Sequence, residues 1–241
     1  MYTESALAGG LILWRSSGSL GATIPADGCV DVILRGDEVF VSGPSTTHIE
    51  TLADDAGGSL GLRLLPGTAH GVLGLDLHEI SDQVVALAEV VGRDATRHTR
   101  AALMRARDSG PSGPDLATAL APDLSLDSRW IPLVRRHAIR ATPPGEVATQ
   151  LGWSERTFRR RLLAHFGYPY LTLVRINRAS RAQQLLATGV SPIEAAGAAG
   201  YADQAHLSRE FRRLVGATPG QFWSSSAKRS IELPSGSSSV A

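Results

Sequence analysis

The chain has 241 residues, with 24 Lys and Arg against 23 Asp and Glu, for a formal net charge of +1. That length admits one large domain or two small ones, and 43% hydrophobic residues is ordinary for a chain that buries a core. The single cysteine, Cys29, excludes a disulfide framework and a multi-cysteine zinc site, and no apolar run approaches the roughly 18 residues of a membrane span. The N-terminus lacks the basic region of a secretory signal, and the expectation is a cytoplasmic protein with no membrane partner.

In chain order, residues 11 to about 65 hold short apolar segments bounded by Gly, Pro or Asp. Cys29 to Leu34, then Arg35-Gly36-Asp37-Glu38, then Val39-Phe40-Val41 reads as a β-hairpin, and Ser59 to Leu65 alternates with period two. Residues 68–108 change to mixed helical spacing and end in a charged, exposed helix that keeps Leu103 and Met104 inward. Asp108-Ser109-Gly110-Pro111-Ser112-Gly113-Pro114 is a linker by composition. After Arg129 the chain reads as consecutive helices, and the Ser-rich end from Ser224 is expected to be disordered. The division expected is therefore a β-rich unit at 1–108, a linker at 109–128, a helical domain at 129–223 and a tail at 224–241. The fold class is α+β: a small β-rich domain with flanking helices, then an all-α domain with two helix-turn-helix motifs joined by a long helix.

The near-zero net charge hides two opposite halves. Residues 1–128 carry 8 basic and 17 acidic side chains, whereas 129–223 carry 14 basic, all arginine, and 5 acidic. Such asymmetry points to nucleic-acid binding by the second half, and guanidinium suits phosphates and guanine edges. An arginine-rich genome would leave the same compositional mark.

The second half also contains an internal repeat. Gly152 matches Gly200 at an offset of 48; Phe158 matches Leu207, Leu162 matches Phe211 and Gly167 matches Gly216 at 49. Each copy is a short helix, a turn with Gly and a second helix. Ser191-Pro192-Ile193-Glu194 is a capping box, Thr142-Pro143 a weaker version of it, and Ser154 and Asp203 can cap the second helices. Phe158 and Leu162, like Leu207, Phe211 and Leu214, would face the core. Arg156, Arg159 and Arg160 lie on the other face of the first copy, and Gln204, Ser208, Arg209 and Arg212 on that of the second. A helix in a major groove needs this division of an apolar side and a donor side. Between the copies, roughly 20 helical residues would span about 30 Å, near the ~34 Å between successive major-groove faces.

Residues 129–223 resemble the DNA-binding domain of the AraC/XylS family of bacterial transcription regulators. The strongest match is Gly200-Tyr201-Ala202-Asp203-Gln204-Ala205-His206-Leu207-Ser208-Arg209-Glu210-Phe211-Arg212-Arg213, followed by Gly216-Ala217-Thr218-Pro219. The resemblance implies base-reading side chains at Arg156, Arg159 and Arg160, and at Gln204, His206, Ser208 and Arg209. Pro25 to Asp31, Ser42-Gly43-Pro44 and Arg63 to Gly67 resemble a β-rich domain that precedes the DNA-binding unit in many such regulators. That implies a sensor or dimerisation module, with a small-molecule effector, RNA polymerase and a second copy (a homodimer) as further partners beside double-stranded DNA.

Several residues have a plainer reading. Arg175, Arg178 and Arg181 suit phosphate contact and intradomain ion pairing equally, and His206 suits DNA contact or packing. Cys29, between Asp27 and Asp31, reads as a buried strand residue, because neighbouring carboxylates disfavour a thiolate. His48, His70 and His78 with Asp27 or Asp31 could form a metal site, but they offer no close-spaced ligand pair, and none is expected. No phosphate loop, carboxylate pair or Ser-His-Asp arrangement stands out, so neither an enzyme nor a cofactor is expected. The expectation is a sequence-specific DNA-binding transcription regulator reading two adjacent major-groove segments. The alternative is a small-molecule-binding or enzymatic first domain with a secondary DNA-binding unit.

Overall fold

A computed structural model describes residues 2–7, 11–17, 21–51, 58–109 and 129–231. The first part is an antiparallel sheet of β1 (Tyr2–Ala6), β2 (Leu11–Ser16), β4 (Val30–Arg35), β5 (Glu38–Ser42), β7 (Ser59–Leu64) and β8 (Val84–Ala86), in the order β1-β2-β7-β4-β5-β8. A two-stranded ribbon, β3 (Thr23–Ile24) with β6 (Ile49–Glu50), stands beside it. The expected hairpin is β4 and β5, with Arg35 opposite Glu38 and Gly36 at a positive φ of 56° in the turn. In β4 the alternation buries Val30, Val32 and Leu34. In β7 it fails, because Ser59 to Leu62 are all buried: the strand lies between β2 and β4, and Trp14 covers its other face at Gly61.

Residues 68–108 are less helical than their spacing suggests. They contain α1 (Ala69–Leu73), a 3-10 turn (Leu77–Ile80), β8 and then α2 (Leu87–Ser109), which is interrupted at Gly92 (φ 79°). Val84 and Val85 supply edge-strand residues that pair with β5, and such short apolar runs do not announce their period. From α2, Leu87, Ala102, Leu103 and Ala106 pack onto the sheet core, while Met104 is only half-buried. The edge strand β1 is exposed throughout and carries no alternation to betray it.

The second part is helical: α3 (Trp130–Ile139), α4 (Pro144–Gln150), α5 (Glu155–Phe166), α6 (Tyr170–Ala187), α7 (Pro192–Ala198), α8 (Gln204–Val215) and α9 (Pro219–Ile231). Its core joins Phe158, Leu162, Phe166, Leu173, Leu207 and Phe211, and includes Ala26 from the sheet domain. Truncating a buried phenylalanine such as Phe211 to Ala would cost about 3–5 kcal/mol. The linker expected at 109–128 lies outside the described residues, apart from Ser109 at the end of α2. Helix α9 runs past 223 to Ile231, anchored by half-buried Phe222 against Phe211 and by Trp223 Nε1, which donates to Gly189 O at 3.2 Å. The rest of the tail, 232–241, lies outside the described residues.

Candidate nucleic-acid interface

The repeat read from glycine spacing is a repeat of elements. Helices α4 and α7 begin at 144 and 192 and end at 150 and 198, an offset of 48; α5 and α8 run 155–166 and 204–215, an offset of 49. The extra residue therefore sits in the second turn. Ser154 Oγ accepts from Thr157 N at 3.2 Å, and Asp203 Oδ1 from His206 N at 2.6 Å, so both second helices start where capping predicts. Ser191 and Glu194 close the full capping box on α7. Both second helices end on a left-handed glycine, Gly167 at φ 82° and Gly216 at φ 81°, a conformation that favours residues without Cβ.

On α5, Phe158, Leu162 and Phe166 are buried, and Arg156, Arg159 and Arg160 are exposed at spacings of three and four, which places them on one face. On α8, Leu207, Phe211 and Leu214 are buried, and Gln204, Arg209 and Arg212 are exposed, with Ser208 half-buried among them. The helix connecting the copies, α6, has 18 residues and spans about 27 Å. It buries Leu173, Ile176, Ala179 and Leu186 and half-buries Leu185. An open groove along α5 is lined by Arg156, Arg159, Arg160 and Tyr170, together with Asp76 and His78 of the first domain.

Some basic side chains are already engaged. His206 is half-buried with its ring edge-on to Tyr201, 5.2 Å between centroids. Arg161 lies over the Trp153 ring at 4.5 Å, which sets it apart from the three arginines before it. Arg175 pairs with Glu210, and Arg213 turns to the first domain, its Nη1 donating to Thr46 O at 3.4 Å. Sequence spacing alone could not separate Arg175 and Arg213 from the outward-facing arginines, because their partners, Glu210 and Thr46, lie far away in the chain. Among the described residues no three His, Cys, Asp or Glu side chains gather as a metal site would require. No described helix is long and apolar enough to cross a membrane.

The remaining conspicuous charges sit in the sheet domain. Arg63 lies within 3.5 Å of Glu4, Asp27 and Asp31, and Trp14 Nε1 donates to Asp31 at 2.7 Å. Burial pushes the Asp31 carboxyl up, opposed by Arg63, and burial likewise pushes up the Cys29 thiol, with Asp27 adding to it. Cys29 is thus a buried thiol, placed just before β4 rather than within a strand.

Comparison with known proteins adds two family matches. Residues 147–225 match the family described as "Helix-turn-helix domain", and residues 12–86 match a domain of unknown function, DUF6597. No curated protein matches the chain. Among solved structures, the C-terminal domain of AraT, a response regulator from Geobacillus stearothermophilus, is 22% identical, covers 42% of this chain and 88% of its own, and has a TM-score of 0.38. ToxT from Vibrio cholerae O395 is 11% identical over 92% of this chain and 96% of its own, with a TM-score of 0.42. A second ToxT structure from Vibrio cholerae is 12% identical over 92% and 97%, with a TM-score of 0.45.

Proposed function

We propose that this chain, whose residues 147–225 match a helix-turn-helix domain behind a domain of unknown function at 12–86, is a DNA-binding transcription regulator that binds DNA sequence-specifically, with α5 and α8 in two adjacent major-groove segments. The observation that carries this reading is the duplication itself. Two twelve-residue helices with matched caps each bury an apolar face and leave arginine or glutamine on the other. The connecting helix, about 27 Å long, is of the same order as the ~34 Å repeat of the groove.

In this reading Arg156, Arg159 and Arg160, with Gln204, Ser208, Arg209 and Arg212, meet the duplex. His206 contributes from its half-buried position beside Tyr201. Phosphate contacts from arginine supply affinity that falls steeply with salt, and base-edge contacts supply specificity. The first domain is proposed as a sensor or dimerisation module, with an effector, a second copy and RNA polymerase as its partners.

The test is selection of bound fragments from a genomic DNA library by the purified full chain, with and without cell extract, followed by footprinting. Two protected segments on one side of the duplex, centred about one helical turn apart, are expected. A single protected segment, or binding indifferent to salt, overturns the paired reading.

A further inference from the structure

The C-terminal ends of α5 and α8 both meet the first domain, and its segment 44–48 touches both. A helix end leaves its last carbonyls without partners inside the helix, and water ordinarily serves them. Here the first domain does so. Arg213 O accepts from His48 N at 3.1 Å and lies 3.0 Å from His48 Nδ1, and Leu214 O accepts from Ala26 N at 2.7 Å. At the other helix Gly167 O accepts from Ser81 Oγ at 2.7 Å. The two cap glycines are also points of close approach: a Cβ on Gly167 would collide with Pro44 and Ser81, and one on Gly216 with Thr23 and His48.

Pro44 and His48, which touch the two different caps, are four residues apart, so the chain between them spans at most about 14 Å. That segment is itself braced. Asp82 accepts from Thr46 N and from Thr46 Oγ1, both at 2.6 Å; Asp82 N donates to Pro44 O and Gly43 N to Gln83 O. Asp82 holds this position at a positive φ of 56°, an uncommon conformation that an aspartate tolerates better than most residues.

We propose that residues 43–48 and 80–83 form a bracket that fixes the separation and angle of α5 and α8, making the first domain part of the device that measures the spacing between the two DNA segments. The inference rests on the paired reading above. Its leverage is geometric. A twelve-residue helix is about 18 Å long, so tilting it by about 10° at its C-terminus moves its N-terminus by about 3 Å. That displacement is about one base-pair step, ~3.4 Å along the duplex. Asp82 and His48 are positioning residues that need not touch DNA.

The test uses the full chain on a selected operator, and on the same operator with one base pair inserted or deleted between its segments. The wild-type protein should prefer the native spacing roughly tenfold or more. The double variant Asp82→Gly, His48→Ala should retain its thermal unfolding transition and its binding to the native operator, while its spacing preference shrinks to about twofold or less. A folded variant that keeps the wild-type preference overturns the bracket. Two protected segments without any spacing preference in the wild type overturn it too and leave the paired reading standing, whereas a single protected segment removes both. An independent measurement needs no variant: the Ala26 and His48 amides of the wild-type chain should be protected from hydrogen exchange, and free exchange of both in the folded protein overturns the bracket.

Discussion

The guanidinium of Arg175 lies 3.3 Å from the Glu210 carboxylate and ties the connecting helix α6 to α8. The Glu210 side chain is only 15% exposed, against 49% for Arg175, and its second oxygen is buried with no hydrogen-bond partner among the described residues. The buried member depends on the exposed one, because an uncompensated buried charge costs more than its pairing returns. Arg175→Ala should therefore destabilise the protein by on the order of 1–3 kcal/mol, and Glu210→Gln by less. Urea unfolding of both variants decides this; equal losses would show that the carboxylate does not rely on the pair.

Arg160→Ala and Arg209→Ala should each cost roughly 1–3 kcal/mol on a selected operator and clearly less on random DNA. Arg213→Ala removes a basic residue that faces Thr46, and its salt dependence of binding should match the wild type. Equal loss on both DNAs would reduce Arg160 or Arg209 to a phosphate contact.

Tyr168 is fully buried and donates to Gly28 O at 3.1 Å across the seam between the two domains. Burial pushes its phenol well above the ordinary value of 10.0. The folded protein thus holds this proton more tightly than the unfolded chain. The stability that this supplies is complete below about pH 10 and is lost as pH rises toward the folded-state value. Unfolding free energy should fall with alkaline pH more steeply in the wild type than in Tyr168→Phe. Identical slopes from pH 9 to 12 would place Tyr168 elsewhere.

Cys29 should resist alkylation in the folded protein at pH 8 and react only at the rate of unfolding. Its thiol is buried and burial holds it protonated, which removes the nucleophilic thiolate. Stoichiometric labelling within minutes under native conditions would contradict this placement.

The candidate site was legible because its signals are local. Ser154 and Asp203 cap their helices through amides three residues on, and Phe158, Leu162, Leu207 and Phe211 recur at helical spacing, so which face each arginine occupies follows from periodicity. The hairpin at Gly36 was legible for the same reason. The strand at 84–86 was hidden because two valines beside a helix carry no period. The packing of β7 on both faces was hidden because it depends on Trp14, 47 residues away from Gly61 in the chain.

By itself, the sequence determined a repeated helix–turn–helix pattern, its caps, its outward arginines and the opposite charge of the two halves. All of these depend on residues within a few positions of each other or on simple counts. Only the tertiary structure decided that Arg175 and Arg213 are engaged, that His206 leans on Tyr201, and that Gly167 and Gly216 serve as seats for the first domain as well as caps. A helix-end carbonyl has no partner within its own helix. Which N–H or hydroxyl reaches it, from Ala26, His48 or Ser81, is settled by how the chain folds back over more than 80 residues, a relation that no local pattern encodes.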